Sequence, residues 1–500
     1  MASAIPTTHL VPLFWASMDS SGANTASANY PTILVGQLLS GGTGSADVVY
    51  QVTTPGQVSE LFGAGSQLHR MALAYFANDP AGEVWVYALA DSGAYATGKI
   101  TVAGTASADG VLHLEIAGQA LPIAVSDGDT AADIHAAIAA ALPVHSVTPT
   151  DYPVSAANNT TYATLTCKWK GATGNNIKLA INPLGSAGRQ VTPAGLTCVI
   201  TNKMGALAAG SGGGVIDNFA TNCATFDLDH LVLGCPDTSD TLVQLGTEFN
   251  DTVGRWSYLR QQYGHVWACE QATSSEHATF LDDLNDQHVT WVGVEGNYAA
   301  FDPKVSAPTY EIAAAYAGRC AASLRADPAL PCQTLELSGS TDGKVRFKAP
   351  AMADRWGVST RNSLLGDGCA TVMYTRDGKI LVERETTTYT ENAYGSPDNS
   401  YQDAQVLFCN SFWLRGLRTM VESNFGRAKL TTSILAEIKG AIIAKYAEYE
   451  ALGITSDTDT FAESLSVEVN NEDPNRLDCL ASPDFVNQFR VFALTNKFSR

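Results

Sequence analysis

The sequence predicts a mixed α/β protein: an α/β core interrupted by a β-rich insertion domain, an α+β C-terminal domain, and an extended arm at each end. Three observations predict it. An apolar run at 32–39 (TILVGQLL), a helix-spaced segment at 66–76 and a second apolar run at 83–89 (EVWVYAL) make one βαβ unit. The same rhythm returns beyond residue 210, after a stretch of short alternating strands at 91–209. Both ends carry apolar clusters that no adjacent element covers.

Length and charge set the frame. At roughly 150 residues per domain, 500 residues exceed one core and suggest about three domains. Hydrophobic residues make up 45%, and the mean hydropathy of −0.01 reads as globular and soluble rather than disordered. Fifty acidic against 30 basic side chains give a net charge of −20, which repels phosphate backbones and anionic lipid heads. No nucleic acid and no membrane is therefore expected as a partner. Residues 1–167 hold only Arg70 and Lys99 against 12 acids, so they read as polar-surfaced and folded, not as an acidic tail. Residues 1–13 lack a basic segment followed by a long apolar core, so no secretory leader is read. No apolar run reaches the roughly 18 residues of a membrane span. The ten cysteines contain no CxxC pair and read as buried thiols in a reducing compartment.

At the N-terminus, Leu10, Val11, Leu13, Phe14 and Trp15 cluster around Pro12, and a Ser/Gly/Ala/Asn spacer follows at 20–29. An apolar cluster on a flexible spacer is an arm that docks at a distance, residues 1–29; a strand folded onto its own domain is the plainer reading. Residues 30–90 form the first part of the core. In the helix at 66–76, Leu68, Met71, Ala72, Tyr75 and Phe76 share a face, and Asn78-Asp79-Pro80 ends it. The insertion reads as strands at 99–102, 111–116, 121–125, 163–169 and 177–181 around one helix at 131–142, with Thr130 and Asp133 as its capping box. The GSGGG stretch at 210–214 reads as a linker. In the second part of the core, 210–368, strands are expected at 230–233, 265–269 and 289–294, and helices at 242–263, 277–286 and 309–325. The C-terminal domain, 369–481, opens with strands at 370–374 and 380–387 joined at Arg376-Asp377-Gly378. Two long helices follow, with Val406, Cys409, Trp413, Leu417 and Val421 on one face and Leu435, Ile438, Ile442, Tyr446 and Tyr449 on another.

Residues 461–469 read as a strand, bearing Leu465, Val467 and Val469, and 470–476 (NNEDPNR) as a turn. The C-terminal arm, 482–500, contains Phe485 and Val486 and then alternates with period two. Phe489, Val491 and Ala493 lie on one side, and Phe492, Leu494 and Phe498 on the other. A strand apolar on both faces must be buried in some sheet, its own or a neighbour's. Arg490, Lys497 and Arg500, with no acid after Asp484, read as bases that meet an acidic neighbour or stay solvated.

Chemical signatures are scarce. There is no Walker A loop, HExxH, GxSxG or complete GxGxxG. Gly63-Ala64-Gly65-Ser66 reads as a turn and N-cap rather than an anion cradle. Asp227, Asp229 and His230 point to different faces of a strand; Asp127-Gly128-Asp129 lacks the Glu of a calcium loop, and Asp129 reads as a helix cap. Asp457 and Asp459 read as a solvated turn. No catalytic residue, no metal site and no cofactor is expected.

Several segments together carry a resemblance. Residues 54–89 hold a Thr-Pro-led helix, LFG-x-GS-x-L, a second helix and EVW; 461–498 hold DPNR at 473–476, Pro483-Asp484 and VNQ at 486–488. In between, Tyr152-Pro153-Val154 and KGATGN at 170–175 keep the order more weakly. This series resembles the Mu-like family of contractile phage tail sheath proteins, with Asp79 splitting the family's Asn-Pro as a minor departure. The resemblance implies a structural protein, not an enzyme, whose core has subtilisin-like topology without a required triad. It implies a homo-oligomer of stacked six-fold rings around a tail tube protein, bounded by baseplate and tail terminator proteins. Contraction would drive the tube through the host envelope for genome delivery. It implies residence in the virion tail after assembly in the host cytoplasm, an outward-facing insertion, and a C-terminal domain facing the tube. Leu10, Val11, Leu13, Phe14 and Trp15 would be the inter-subunit N-terminal arm. Phe485, Val486, Phe489, Val491, Phe492, Leu494 and Phe498 would be the C-terminal arm, and Leu465, Val467 and Val469 the acceptor-sheet strand. Two other classes compete: a hydrolase on the same α/β core, which needs a pocket with nucleophile and base, and a β-rich virion surface protein or adhesin.

Overall fold

The computed structural model describes residues 30–144, 150–200, 216–235, 239–295, 307–345 and 347–498. The N-terminal arm residues Leu10, Val11, Leu13, Phe14 and Trp15 and the 210–214 linker lie outside them.

The apolar runs form the central strands because each can be buried on both faces. β1 (Thr32–Gln37), β3 (Val84–Leu89), β11 (His230–Leu233), β12 (His265–Ala272), β13 (Val289–Glu295) and β14 (Cys369–Tyr374) are parallel. Two antiparallel strands flank them, β2 (Val49–Val52) beside β3 and β15 (Ile380–Arg384) beside β14. The order is β15-β14-β13-β12-β11-β1-β3-β2. Side chains alternate between two cores. Leu34, Val232, Trp267 and Val292 face a layer built on α2 (Gln67–Asn78) and α7 (Thr309–Ala326). Ile33, Val35, Leu231, Leu233 and Val266 face α5 (Ser239–Phe249), α6 (Ser274–Leu281) and α8 (Val358–Gly366), through Leu242, Leu245, Phe249, Leu281 and Leu364. This is the three-layer solution for a mainly parallel sheet. α1 (Pro55–Phe62) starts at its Thr54 cap with Pro55 in the first turn, and a short α4 (Phe219–Asn222) precedes β11.

The insertion supplies β4 (Tyr95–Gly104), β5 (Gly110–Ile116), β6 (Gln119–Val125), α3 (Ala131–Ala141), β7 (Val154–Asn159), β8 (Tyr162–Lys170), β9 (Leu179–Ile181) and β10 (Leu196–Ile200). They form sheets β10-β4-β8-β7 and β6-β5-β9. α3 carries the expected Thr130–Asp133 capping box; Asp129 instead accepts the Ser126 N–H, so Thr130 and not Asp129 is the cap. The insertion's apolar faces run without a break into the α2/α7 layer, where the Trp169 ring meets Tyr310 edge-on at 5.7 Å.

One buried ion pair fastens this junction. Arg70 on α2 is about 1% exposed. Its Nε donates to Glu311 Oε1 on α7 at 2.7 Å, Nη1 donates to Gln119 Oε1 at 2.8 Å, and Nη2 to the Ala117 carbonyl at 2.9 Å. Burial pushes the Glu311 carboxyl up to about 7, and the Arg70 charge pulls it the other way. Beside it, Gly65 opens α2 at φ +76, and a Cβ there would meet the Tyr152 carbonyl oxygen at 2.3 Å. Gly65→Ala is expected to cost about 1–3 kcal/mol, from left-handed strain plus displacement of the insertion's backbone. Differential scanning of the purified chain checks it; an unchanged melting temperature would mean the insertion does not press on this turn.

The C-terminal part holds α9 (Ala404–Phe425), α10 (Thr432–Ala451), α11 (Thr458–Ser464), β16 (Ser466–Val469) and β17 (Leu477–Leu480) around a third core of Cys409, Trp413, Ile442, Tyr446, Tyr449, Phe461 and Leu465.

Several elements differ from expectation. The helix expected at 242–263 stops at Phe249: Asn250 Oδ1 accepts the Thr252 and Val253 N–H groups, and Gly254 packs against the Asn250 and Glu248 backbone. The helix expected at 277–286 starts earlier, because the Thr273–Glu276 capping box sets its first turn at Ser274. Residues 172–176 form a short 3-10 turn, so the strand expected from 177 begins at Leu179. The strand expected over 380–387 ends at Arg384. The strand expected over 461–469 is half helix. Asp457 accepts the Thr460 N–H and starts α11, which lets Phe461 stack on Tyr446 at 3.8 Å. Asp457 is thus a cap rather than a solvated turn.

Candidate functional site

The expected C-terminal strand is extended but unpaired. Phe485 makes only an isolated bridge with Thr455, and among the described residues 487–498 join no sheet. Residues 484–490 are fastened to the chain's own body. Val486 N–H donates to the Ile454 carbonyl at 3.0 Å and Asp484 N–H to the Tyr446 hydroxyl at 3.0 Å. Gln488 Nε2 donates to the Ala329 carbonyl at 3.1 Å, and Gln333 Nε2 to the Phe489 carbonyl at 3.0 Å. Arg490 closes the series on Glu385 and Asp403. The expectation that Arg490 waits for an acidic neighbour is thus corrected: its acids lie in its own chain. The apolar side chains do the opposite. Phe489, Val491, Phe492, Leu494 and Phe498 stand 71–86% exposed. Each side chain of that cluster forgoes about 1.5–3 kcal/mol of burial by standing in water.

The sheet that precedes this tail in the chain is a two-stranded ribbon. Among the described residues β16 and β17 pair only with each other, in the register Ser466↔Leu480 to Val469↔Leu477. The DPNR turn closes them: Asn470 Oδ1 accepts the Glu472 and Asp473 N–H groups, and Asn470 N–H donates to the Arg476 carbonyl at 2.9 Å. A two-stranded ribbon is marginal alone, and each outer edge offers unpaired backbone groups. Val467 is half-buried and Val469 exposed on β16, whereas Leu465 caps α11 and lies buried in the third core. Only Val467 and Val469 of that trio therefore sit on a strand.

The place where a doubly wound sheet ordinarily binds a ligand is filled. Strand order reverses between β1 and β11, and the crevice at their carboxyl ends is the usual site. Here Gln37 N–H donates to Gln67 Oε1 at 2.8 Å, Gln67 Nε2 to the Gly234 carbonyl at 2.6 Å, and Gln37 Nε2 to the Lys170 carbonyl at 2.7 Å. Thr173 from the insertion donates to Gln37 Oε1 at 3.0 Å. The KGATGN segment is thus a plug. A cleft of about 370 Å³ lies nearby, lined by Glu270, Glu276, His277 and Trp291. Its histidine is engaged on both nitrogens, by Trp291 Nε1–H at 3.2 Å and by the Val294 carbonyl at 3.4 Å.

The filled crevice and the exposed arm describe a building block, and comparison with known proteins agrees. Residues 209–388 match the family model of the phage tail sheath protein central domain, and residues 396–499 match that of the phage tail sheath C-terminal domain. The Mu-like prophage FluMu tail sheath protein of Haemophilus influenzae is 31% identical over 527 aligned residues, covering 99% of this chain and 98% of that one. The chain belongs to the phage tail sheath family. It is a structural subunit of a contractile tail. Among solved structures, the sheath tail protein of Desulfitobacterium hafniense is 12% identical over 96% of this chain and 100% of its own, at a TM-score of 0.46. That of Listeria innocua is 10% identical over 92% of each, at 0.47.

Several reactive side chains of the sheath subunit are buried in packing. Burial pushes the Cys369 and Cys409 thiols up to about 12, which removes the thiolate. It lowers His69 to about 4 and His230 to about 3, so both imidazoles are neutral. Asp229, pushed up to about 7 by burial, takes Arg415 of α9, whose guanidinium also lies over the Tyr30 and Tyr263 rings. Asp227 and His230 join no ligand set, and among the described residues no group of three His, Cys, Asp or Glu side chains is placed to hold a metal. Sequence reasoning missed the Glu385–Asp403 pair beneath Arg490. The available signal was a lone arginine in an otherwise apolar arm.

Proposed function

We propose that this subunit polymerises by strand exchange: its C-terminal arm completes the β16–β17 ribbon of a neighbouring copy. The observation that carries this reading is the coincidence in one chain of an exposed, period-two apolar tail and a ribbon open on both edges. Backbone hydrogen bonds would supply the pairing, and Phe492 and Leu494 against Val467 and Val469 the register. The N-terminal arm, through Leu10, Val11, Leu13, Phe14 and Trp15, serves as a second link. The linked copies form stacked six-fold rings around a tail tube, held between baseplate and terminator proteins and assembled in the host cytoplasm. Contraction changes packing between subunit bodies while the exchanged strands persist, and the tube is driven through the host envelope. Residues 91–209 face outward and 369–481 face the tube, on a non-catalytic core of subtilisin-like topology. The plug at the switch point supports this over a hydrolase, since it occupies the place a substrate would need.

Full-length Phe492→Asp/Leu494→Asp tests it. The expected result is a folded monomer with no tubes in negative-stain micrographs, where the unaltered chain gives tubes. Tubes of normal length from the double variant would refute strand exchange through this arm.

A further inference from the structure

We infer that the donated segment begins at Val491, and that Arg490, clamped on Glu385 and Asp403 of its own subunit, is the fixed root that aims it. The inference rests on the strand-exchange reading above and sets where exchange starts. Arg490 Nη2 lies 2.5 Å from Glu385 Oε1 and 3.3 Å from Asp403 Oδ1, and Nη1 lies 3.2 Å from Glu385 Oε2. Glu385 is fully buried, and Arg490's side chain is 11% exposed. Asp403 is itself held by Arg384 Nε at 2.8 Å and sits at the N-cap of α9.

Two contrasts locate the root. Before it, every second residue of the tail is tied down, through Val486, Gln488, the Phe489 carbonyl and Arg490; beyond it, residues 491–498 are all exposed and, among the described residues, make no hydrogen bond. Lifting the tail from residue 482 would leave the buried Glu385 carboxylate without the guanidinium, a penalty that detaching Val491 onward avoids. The bidentate, charge-assisted geometry also fixes the direction in which the chain leaves the body. Ten residues, 491–500, at about 3.3 Å each reach about 33 Å, so the acceptor edge must lie within that distance of Arg490. A free arm from 482 would reach roughly twice as far. Arg490 is therefore a positioning residue: it sets which neighbour the arm can meet.

Full-length Arg490→Ala, Glu385→Gln and Arg490→Lys test this beside the arm variant Phe492→Asp/Leu494→Asp. For Arg490→Ala and Glu385→Gln the expected result is amide exchange at 485–490 accelerated at least tenfold, with exchange in the sheet core unchanged. Tube yield should fall at least tenfold although the apolar side chains of the arm are intact, and Arg490→Lys should recover part of it. Cys332, whose N–H faces Glu385 at 3.4 Å, should label faster with a thiol reagent. If either charge-removing variant folds and gives tubes of wild-type yield and length while the arm variant gives none, the root assignment is wrong. If the arm variant also gives tubes, strand exchange itself fails and the root with it.

Discussion

Ending the chain at Arg490 is expected to abolish tube formation while leaving the subunit folded. The removed residues 491–500 include Val491, Phe492, Leu494 and Phe498, all at least 73% exposed, so the body loses almost no buried surface. The melting temperature should move by less than about 2 °C, since substitutions of solvated groups rarely exceed about 0.5 kcal/mol. Solubility should rise, because an apolar edge segment is an aggregation hazard. The pair of measurements is scanning calorimetry and negative-stain counts at matched concentration. Sheaths of normal length from the truncated chain would show that the exposed tail is not the link. A cut at 482 is a poorer experiment: it also removes Arg490 and the Tyr446–Asp484 contact, and so confounds body with arm.

Arg70→Met is expected to give the largest loss of stability of any single substitution considered. It removes one guanidinium that joins α2, α7 and the β5–β6 turn, and it leaves the Glu311 carboxylate, Gln119 and the Ala117 carbonyl buried without that donor. Breaking a buried ion pair on one side costs about 3–5 kcal/mol. For a core of this size, spanning the insertion as well, that is roughly 4–7 °C in melting temperature. Arg70→Met/Glu311→Leu should recover more than half of the loss, because it removes the stranded charge rather than its partner. If the single variant melts within 2 °C of the parent, the pair does not hold the insertion to the core. If the double variant is no better than the single, the penalty is lost packing and not an unpaired charge.

The two differ in what they break. The first removes a contact between copies and should leave every intramolecular property unchanged; the second acts within one copy and should impair assembly only through the folded fraction.

Much of the fold was legible because its signals are local. Thr32 to Leu39 has no polar face to show water, so it had to be a strand covered on both sides, and β1 lies inside the sheet between β11 and β3. Thr130 and Asp133 fix a helix start by their own hydrogen bonds, and Arg376-Asp377-Gly378 turns β14 into β15 with Gly378 at φ +86. Of the candidate site, the arm's period-two apolar pattern was legible; that it stands exposed and unpaired on its own subunit was not. Not legible was anything that needed a distant partner. Phe461 stacks on Tyr446 from within α11, and Leu465 was drawn into that core rather than onto a strand edge. Residues 170–175 read as a weak motif, and only the fold makes them the stopper of the β1/β11 crevice.

Periodicity and short-range hydrogen bonds are written within a few residues, so most strands, the Thr130–Asp133 cap and the apolar alternation of the tail could be read from the chain alone. That Arg490 meets Glu385, and Arg70 meets Glu311 and Gln119, emerges from the folded chain and from nothing shorter. A buried charge is tolerated solely where the chain's distant parts converge on it, and no local pattern encodes that convergence.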